Sequence, residues 1–271
     1  MADKIAEEKM ERRKKTKQKR PRYVWLSFVS LGVIIFLWCI LTYGGFLDKI
    51  FLPKPTEVVK AIIAMYQDGS LASNIFSSVR RVLVGWAWSA VAALPIGMAM
   101  VISKKFSAVV QPVIEFIRYL PIVALVPLTL LYLGIGETQK YTIIFIGTFF
   151  QLVLMVGDTV SSVDRNLINA ARTLGASRWQ VYLWVIFPAS LPGLMDSFRV
   201  TIGWAWTYLV VAEMVAADSG LGYVIIKSQR FLATDVIFAG LILIGLIGLL
   251  TDMFFRILTK VIVPWHERLG D

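Results

Sequence analysis

The sequence predicts an all-α integral membrane protein with about six transmembrane helices, and three observations predict it. Of its 271 residues 57% are hydrophobic and the mean hydropathy is +0.70, well above the roughly 45–50% apolar usage of soluble domains. Several apolar runs reach the roughly 20 residues a helix needs to cross about 30 Å of hydrocarbon. The basic residues gather ahead of the first run, as expected of a cytoplasmic flank.

The apolar runs are Tyr23 to Tyr43, Val82 to Ile102, Tyr119 to Gly134, Tyr141 to Val160, Thr201 to Ala217 and Val236 to Leu258. Pro121 and Pro127 interrupt the third. Membrane-spanning strands alternate apolar and polar positions over about ten residues, whereas these runs are apolar all round, which excludes a barrel. The single cysteine, Cys39, lies inside the first run, so the chain cannot build an internal disulfide framework or a thiolate cluster. His266 is the single histidine and lies in the charged C-terminus, where it reads as a solvated tail residue rather than a ligand or general base.

A formal net charge of +10 raises nucleic acid as a partner, but the distribution argues for membrane lipid instead. Lys4, Lys9, Arg12, Arg13, Lys14, Lys15, Lys17, Lys19, Arg20 and Arg22 all precede the first span. Such a polybasic stretch marks the cytoplasmic side and is attracted to anionic lipid. A signal peptide also pairs a basic start with an apolar core, but this run exceeds the usual 7–15 residues and lacks an A-x-A site. The expected organisation is a polybasic cytoplasmic segment at 1–22, a membrane domain at 23–262 and a cytoplasmic tail at 263–271. With both termini inside, Lys104, Lys105, Arg118 at the inner end of the third span, Arg165, Arg172, Arg178, Arg199, Arg256, Lys260 and Arg268 also fall inside. The smaller outside set is Lys49, Lys54, Lys60, Arg80, Arg81, Lys140, Lys227 and Arg230.

Outside the spans, Phe51-Leu-Pro-Lys-Pro reads as extended chain leading to a short amphipathic helix with Thr56 as N-cap. Ser219-Gly-Leu-Gly marks a turn before a second outer segment at Tyr223 to Phe231. Gly85, Ser89, Ala93 and Gly97 recur every four residues, giving a face on which another helix can pack closely. Pro95, Pro121 and Pro127 are expected to kink the bundle.

The most informative stretch runs from Asp164 to Pro192. Asp164 can cap a helix beginning at Arg165, and Gly175 supplies the left-handed position that closes one. Ser177 with Gln180 forms a capping box for a second helix, which Pro188 is expected to end. Ala170, Ala171, Leu174 and Gly175 give a compact apolar knob bordered by Asn169, Arg172 and Arg178. Such a knob suits a groove in a partner protein, with the arginines pairing carboxylates at its rim. Packing as a helix hairpin on its own bundle is the alternative.

Asn-Ala-Ala-Arg-Thr-Leu-Gly at 169–175, followed after nine residues by Val-Ile-Phe-Pro at 185–188, resembles the EAA motif of ABC importer permeases. There the pattern is E-A-A, three residues, G, nine residues, I-x-L-P. Ala170, Ala171, Gly175 and Pro188 match it, Val185 and Phe187 replace residues of similar kind, and Asn169 stands where the family has glutamate. Phe51-Leu-Pro-Lys-Pro, Leu133-Gly-Ile-Gly-Glu-Thr-Gln-Lys, Val211-Ala-Glu-Met and Ser219-Gly-Leu-Gly-Tyr are similar to the nitrate, sulfonate, taurine and bicarbonate branch of these permeases. The resemblance covers roughly residue 45 to the end.

It implies a type I ABC importer permease fold in a bacterial inner membrane. The implied partners are ABC ATPase subunits, a second permease copy, an external substrate-binding protein and membrane lipid, with no nucleic acid. Asn169 to Gly175, with Arg178 and Pro188, would then be the segment docked on the ATPase. The chain has no G-x-x-x-x-G-K-[ST] loop, so ATP and Mg are expected on the partner, with no cofactor or metal held here.

Gln151, Trp204, Trp206, Tyr208 and Glu213 are the translocation-pathway candidates, since polar groups within a bilayer tend to be functional. Helix packing or solvation is the alternative for Glu213, and interfacial anchoring for the aromatics. An ion-coupled secondary transporter would show paired repeats and midplane ionisable residues, and a membrane-embedded enzyme would need convergent catalytic groups. The sequence shows neither pattern. A non-transporting scaffold differs from the importer in requiring no stoichiometric ATPase.

Overall fold

The computed structural model describes residues 24–215 and 217–265; the polybasic segment 1–22, His266 and the rest of the 266–271 tail lie outside the described residues. Every regular element among the described residues is helical. The chain forms two compact units, the first ending at Pro55 and the second beginning at Thr56.

The first unit is built on α1, Val24–Tyr43. It has no charged residue, and large side chains such as Trp25, Phe28, Ile34 and Phe36 are exposed, as befits a helix surrounded by lipid. The Trp38 indole N–H donates to the Pro53 carbonyl at 2.9 Å, tying the proline-rich stretch back to the helix.

The second unit opens within α2, Pro55–Gln67. Proline is tolerated in the first turn because the N–H it lacks has no helical partner there, so the helix starts one residue before the expected Thr56 cap. Its amphipathic pattern buries Val58, Ala61 and Met65. The bundle proper follows, with α3 at Ser70–Ile102, α4 at Lys104–Ile117, α5 at Ile122–Leu133 and α6 at Glu137–Ser161. After it come α7 at Arg165–Thr173, α8 at Arg178–Val181, a π turn at Tyr182–Ile186 and α9 at Phe187–Met214. The chain closes with α10 at Leu221–Arg230 and α11 at Thr234–Ile262.

Among the described residues, four helical stretches are long and apolar enough to cross a membrane: α3, α6, the continuous run Arg178–Met214, and α11. In the spans the structure departs from the sequence-based expectation at three places. The second span begins at Ser70 rather than Val82, because its first four turns carry Asn74, Ser78 and Arg81, polar residues that find buried partners. The third span is broken: α4 and α5 meet at 100°, and α5 has 12 residues, about 18 Å at 1.5 Å per residue. Pro121 causes the break, since it cannot donate to a preceding turn and disfavours helix at Leu120.

Pro188 does not end its helix, the third departure. The Phe187 N–H reaches back five residues to the Tyr182 carbonyl, and this wider π turn makes room for the proline ring where an α turn would clash. The helix therefore continues to Met214.

The core lies between α3, α6 and α9. The small-residue face of α3 packs on α6: a Cβ at Gly85 would come within 2.7 Å of Ile144, and one at Gly97 within 2.8 Å of the Val153 carbonyl oxygen. Without a hydrophobic drive between helices in lipid, such close approach is what holds them together. Gly97→Val is expected to lower the thermal unfolding midpoint of the detergent-purified protein, by about 1–3 kcal/mol of overpacking. Gly245→Ala, where an added Cβ meets no atom within 4 Å, leaves the midpoint unchanged; equal midpoints for both would contradict the packing.

Candidate functional site

Three helices and a turn converge on Arg81, in the first half of α3. Its guanidinium is 1% exposed. Nη1 donates to Glu213 Oε1 at 2.7 Å and to the Ser219 carbonyl at 2.6 Å, while Nη2 donates to Glu137 Oε1 at 2.6 Å and Nε to Glu137 Oε2 at 3.0 Å. Glu137 opens α6 and also pairs with Arg80 at 3.0 Å and Lys140 at 3.2 Å. Glu213 lies in the last turn of α9. Arginine suits this place because its planar fork serves two carboxylates and a carbonyl at once.

The same cluster caps α10. A helix start leaves N–H groups without partners, and here other helices supply the acceptors. Gly220 N–H donates to Asn74 Oδ1 at 2.8 Å, Leu221 N–H to Ser78 Oγ at 2.8 Å, and Gly222 N–H to Glu213 Oε2 at 2.7 Å. Ser78 Oγ in turn donates to Glu213 Oε1 at 2.9 Å. Gly220 has φ 116° and its missing Cβ would collide with the Glu213 carboxylate, so only glycine fits.

Thus Glu137, Glu213 and Ser219-Gly-Leu-Gly, which belong to three of the segments that carry the branch resemblance, meet at one buried arginine. Sequence reasoning assigns Arg81 no role beyond an outside charge. The available signal is Glu213 itself, since a carboxylate at the end of a span demands a cation and Arg81 borders another span.

At the opposite end of α3 and α6 lies the segment from Asp164 to Pro188. Asp164 Oδ1 accepts from the Asn166 N–H at 2.9 Å, and Ser177 and Gln180 form the expected capping box. Gly175 has φ 83°; its N–H donates to the Arg172 carbonyl at 3.0 Å and the Ala176 N–H to the Ala171 carbonyl at 3.1 Å. That pair of bonds is a Schellman motif.

No residue of α7 is fully buried. Ile168, Ala171 and Ala176 pack against the bundle core, whereas Asn169, Ala170, Arg172, Leu174, Gly175 and Arg178 are exposed. The expected knob therefore divides by helical phase: Ala171 faces its own bundle, and Ala170 with Leu174, four residues on, faces away. Leu174 is 88% exposed. Arg165, Arg172 and Arg178 line a pocket of about 490 Å³ with Val101, Ile102, Val160 and Ile186. Pro188 is half-buried above the π turn.

The five pathway candidates are not brought together. Trp206 is 5% exposed in the core and Tyr208 packs on Gly147. Trp204 lies partly exposed on α9, and Glu213 belongs to the Arg81 cluster. Gln151, near the middle of α6, accepts from Arg118 Nη1 at 3.4 Å. Arg118 is thus at the break between α4 and α5, level with mid-α6, and not at the end of a continuous third span.

The model of the binding-protein-dependent transport system inner membrane component family matches residues 91–265. The taurine transport system permease protein of Escherichia coli (strain K12) is 33% identical over 267 residues, covering 97% of each chain. The nitrate import permease protein of Synechocystis is 28% identical over 249 residues, covering 89% of this chain and 90% of that one. Among solved structures, the inward-facing MetNI methionine ABC transporter matches with a TM-score of 0.64 at 21% identity, covering 72% of this chain and 97% of that chain. At that identity the likeness shows the fold.

Proposed function

The chain belongs to the binding-protein-dependent transport system inner membrane component family, and from that premise we propose that it carries a small anionic solute inward, driven by ATP hydrolysed on separate subunits. It is a multi-pass ABC importer permease with the type I fold, a transport component. The taurine and nitrate permeases it resembles motivate the choice of solute class: nitrate, sulfonate, taurine or bicarbonate.

The observation that carries the mechanism is the unbroken helical run Arg178–Met214. Its 37 residues extend about 55 Å at 1.5 Å per residue, from the exposed α7 turn to Glu213 in the Arg81 cluster. We read Asn169, Ala170, Arg172, Leu174, Gly175 and Arg178 as the surface docked on an ABC ATPase subunit, with Ala171 and Pro188 holding that surface to the bundle. Asn169, standing in for a glutamate, offers the partner an amide rather than a charge. ATP and Mg belong to that partner. Closure of two ATPase subunits pulls on this segment in each of two permease copies, and the long helix passes the displacement to the Arg81 end. The spans rock so that a shared cavity opens outward, toward an external binding protein, and hydrolysis reverses the motion. Both termini and the α7 segment are cytoplasmic in this scheme.

The test is reconstitution of the permease with its ATPase and binding protein in proteoliposomes. ATP-driven uptake is expected for at least one of nitrate, alkanesulfonates, taurine, bicarbonate and small aromatic acids. Uptake confined to solutes without an oxyanion group would refute the solute class, and labelling of an Ala170→Cys variant by an impermeant thiol reagent from outside the cell would refute the orientation.

A further inference from the structure

We propose that Arg118 is a solute-binding residue of the translocation pathway, its guanidinium held at membrane depth by Gln151 and Tyr119 to receive the oxyanion group of the passing solute. This rests on the importer function proposed above and names the group that would recognise its anion.

Depth is the first support. Arg118 Nη1 donates to Gln151 Oε1 at 3.4 Å. Gln151 lies about 21 Å along α6 from Glu137 and about 15 Å from Ser161, at 1.5 Å per residue. Through that bond the guanidinium reaches across to α6. A cation at such depth is expensive unless it faces water or a partner of opposite charge.

Its partners are the second support. Several other arginines within the spans have carboxylates: Arg80 and Arg81 pair with Glu137, Arg81 also with Glu213, and Arg199 and Arg256 with Asp252. Arg118 forms no ion pair among the described residues. Nη2 donates to the Tyr119 hydroxyl at 2.7 Å, and the guanidinium lies over the Tyr119 ring with 4.7 Å to the centroid. Both oxygen acceptors, on Gln151 and Tyr119, are neutral. They orient the fork and leave its charge and several of its five N–H donors free.

Backbone geometry is the third. Arg118 immediately follows α4 and precedes the 100° break, and the chain resumes as α5 at Ile122, whose N-terminal turn brings unpaired N–H groups and positive dipole to the same bend. Arg118 and Tyr119 are exposed. An exposed, uncompensated arginine at mid-helix depth is what an anion pathway shared with a second copy needs on its wall.

The experiment compares wild type, Arg118→Gln and Arg118→Lys in the complete reconstituted importer, using the solute identified above. Co-elution with the ATPase subunit should match wild type, while uptake of the anion by Arg118→Gln falls about tenfold or more, the fold-change for losing a hydrogen bond to a charged group. Arg118→Lys retains a larger share. Arg118→Cys in a Cys39→Ser background should be labelled by aminoethyl methanethiosulfonate, be protected by saturating solute, and regain uptake once the positive charge is restored. A neutral methanethiosulfonate gives no rescue. If wild type takes up an anion while Arg118→Gln matches it, or labelling of the Arg118→Cys variant is unaffected by solute, this assignment is wrong and the importer function stands. If wild type takes up no anion, the function proposed above fails first. Should Arg118→Gln fail to assemble, protection and charge rescue in the Arg118→Cys variant still decide.

Discussion

Arg81→Ala is expected to destabilise the bundle by about 3–5 kcal/mol, the cost of stranding a buried charge whose partner has been removed. Glu213 is the stranded group: 1% exposed, it would keep Ser78 and the Gly222 N–H but lose its cation. Glu137 would keep Arg80 and Lys140, so its loss is smaller. The damage also reaches α10, because the acceptors that cap it belong to the same cluster. Thermal unfolding of the detergent-solubilised protein, followed by size-exclusion, should show Arg81→Ala and Glu213→Ala each well below wild type. Replacing both with apolar residues of similar volume, Arg81→Met with Glu213→Leu, should recover part of the loss. Additive losses in the double variant would mean that the pair is not coupled.

Leu174→Asp is expected to abolish ATP-driven uptake while leaving the permease folded. With its side chain 88% exposed, Leu174 lies outside the core, and the proposed function places it on the surface docked on the ATPase. A carboxylate there would enter an apolar groove of the partner without compensation. The prediction is normal yield and unfolding midpoint, loss of ATPase co-purification, and loss of uptake. Gly175→Val should give the same transport defect by a different route. Its backbone has φ 83°, a region a β-branched residue enters only at a cost of about 1–3 kcal/mol, so the turn that presents Leu174 would shift. Normal uptake by Leu174→Asp would remove α7 as the docking surface.

The elements most legible in the sequence are those set by local chemistry. The Asp164 cap, the Gly175 turn and the Ser177–Gln180 box follow from side chains bonding backbone groups two or three residues away, so a linear reading captures them. The small-residue face of α3 is equally plain, because helical phase alone places Gly85 and Gly97 together. Pro188 departs from its expected role for a related reason. A proline forbids an α-helical bond to the carbonyl four residues back, but a bond one residue longer, from Phe187 to Tyr182, avoids the clash, and only the surrounding packing selects it.

The division between sequence and tertiary structure is sharpest at the arginines. Apolar run length and charge placement determine that this chain is a helical membrane protein, since hydrophobicity and helical period are properties of consecutive residues, and the resemblance of residues 169–188 to the EAA motif points to a permease of the ABC importer kind. Which arginine is locked by carboxylates and which has only neutral partners among the described residues was decided by the fold alone. Arg81 meets Glu137 and Glu213 across 56 and 132 residues of chain, and Arg118 meets Gln151 across 33. Electrostatic partnership depends on distance in space and on the exclusion of water, and neither is fixed until the helices pack.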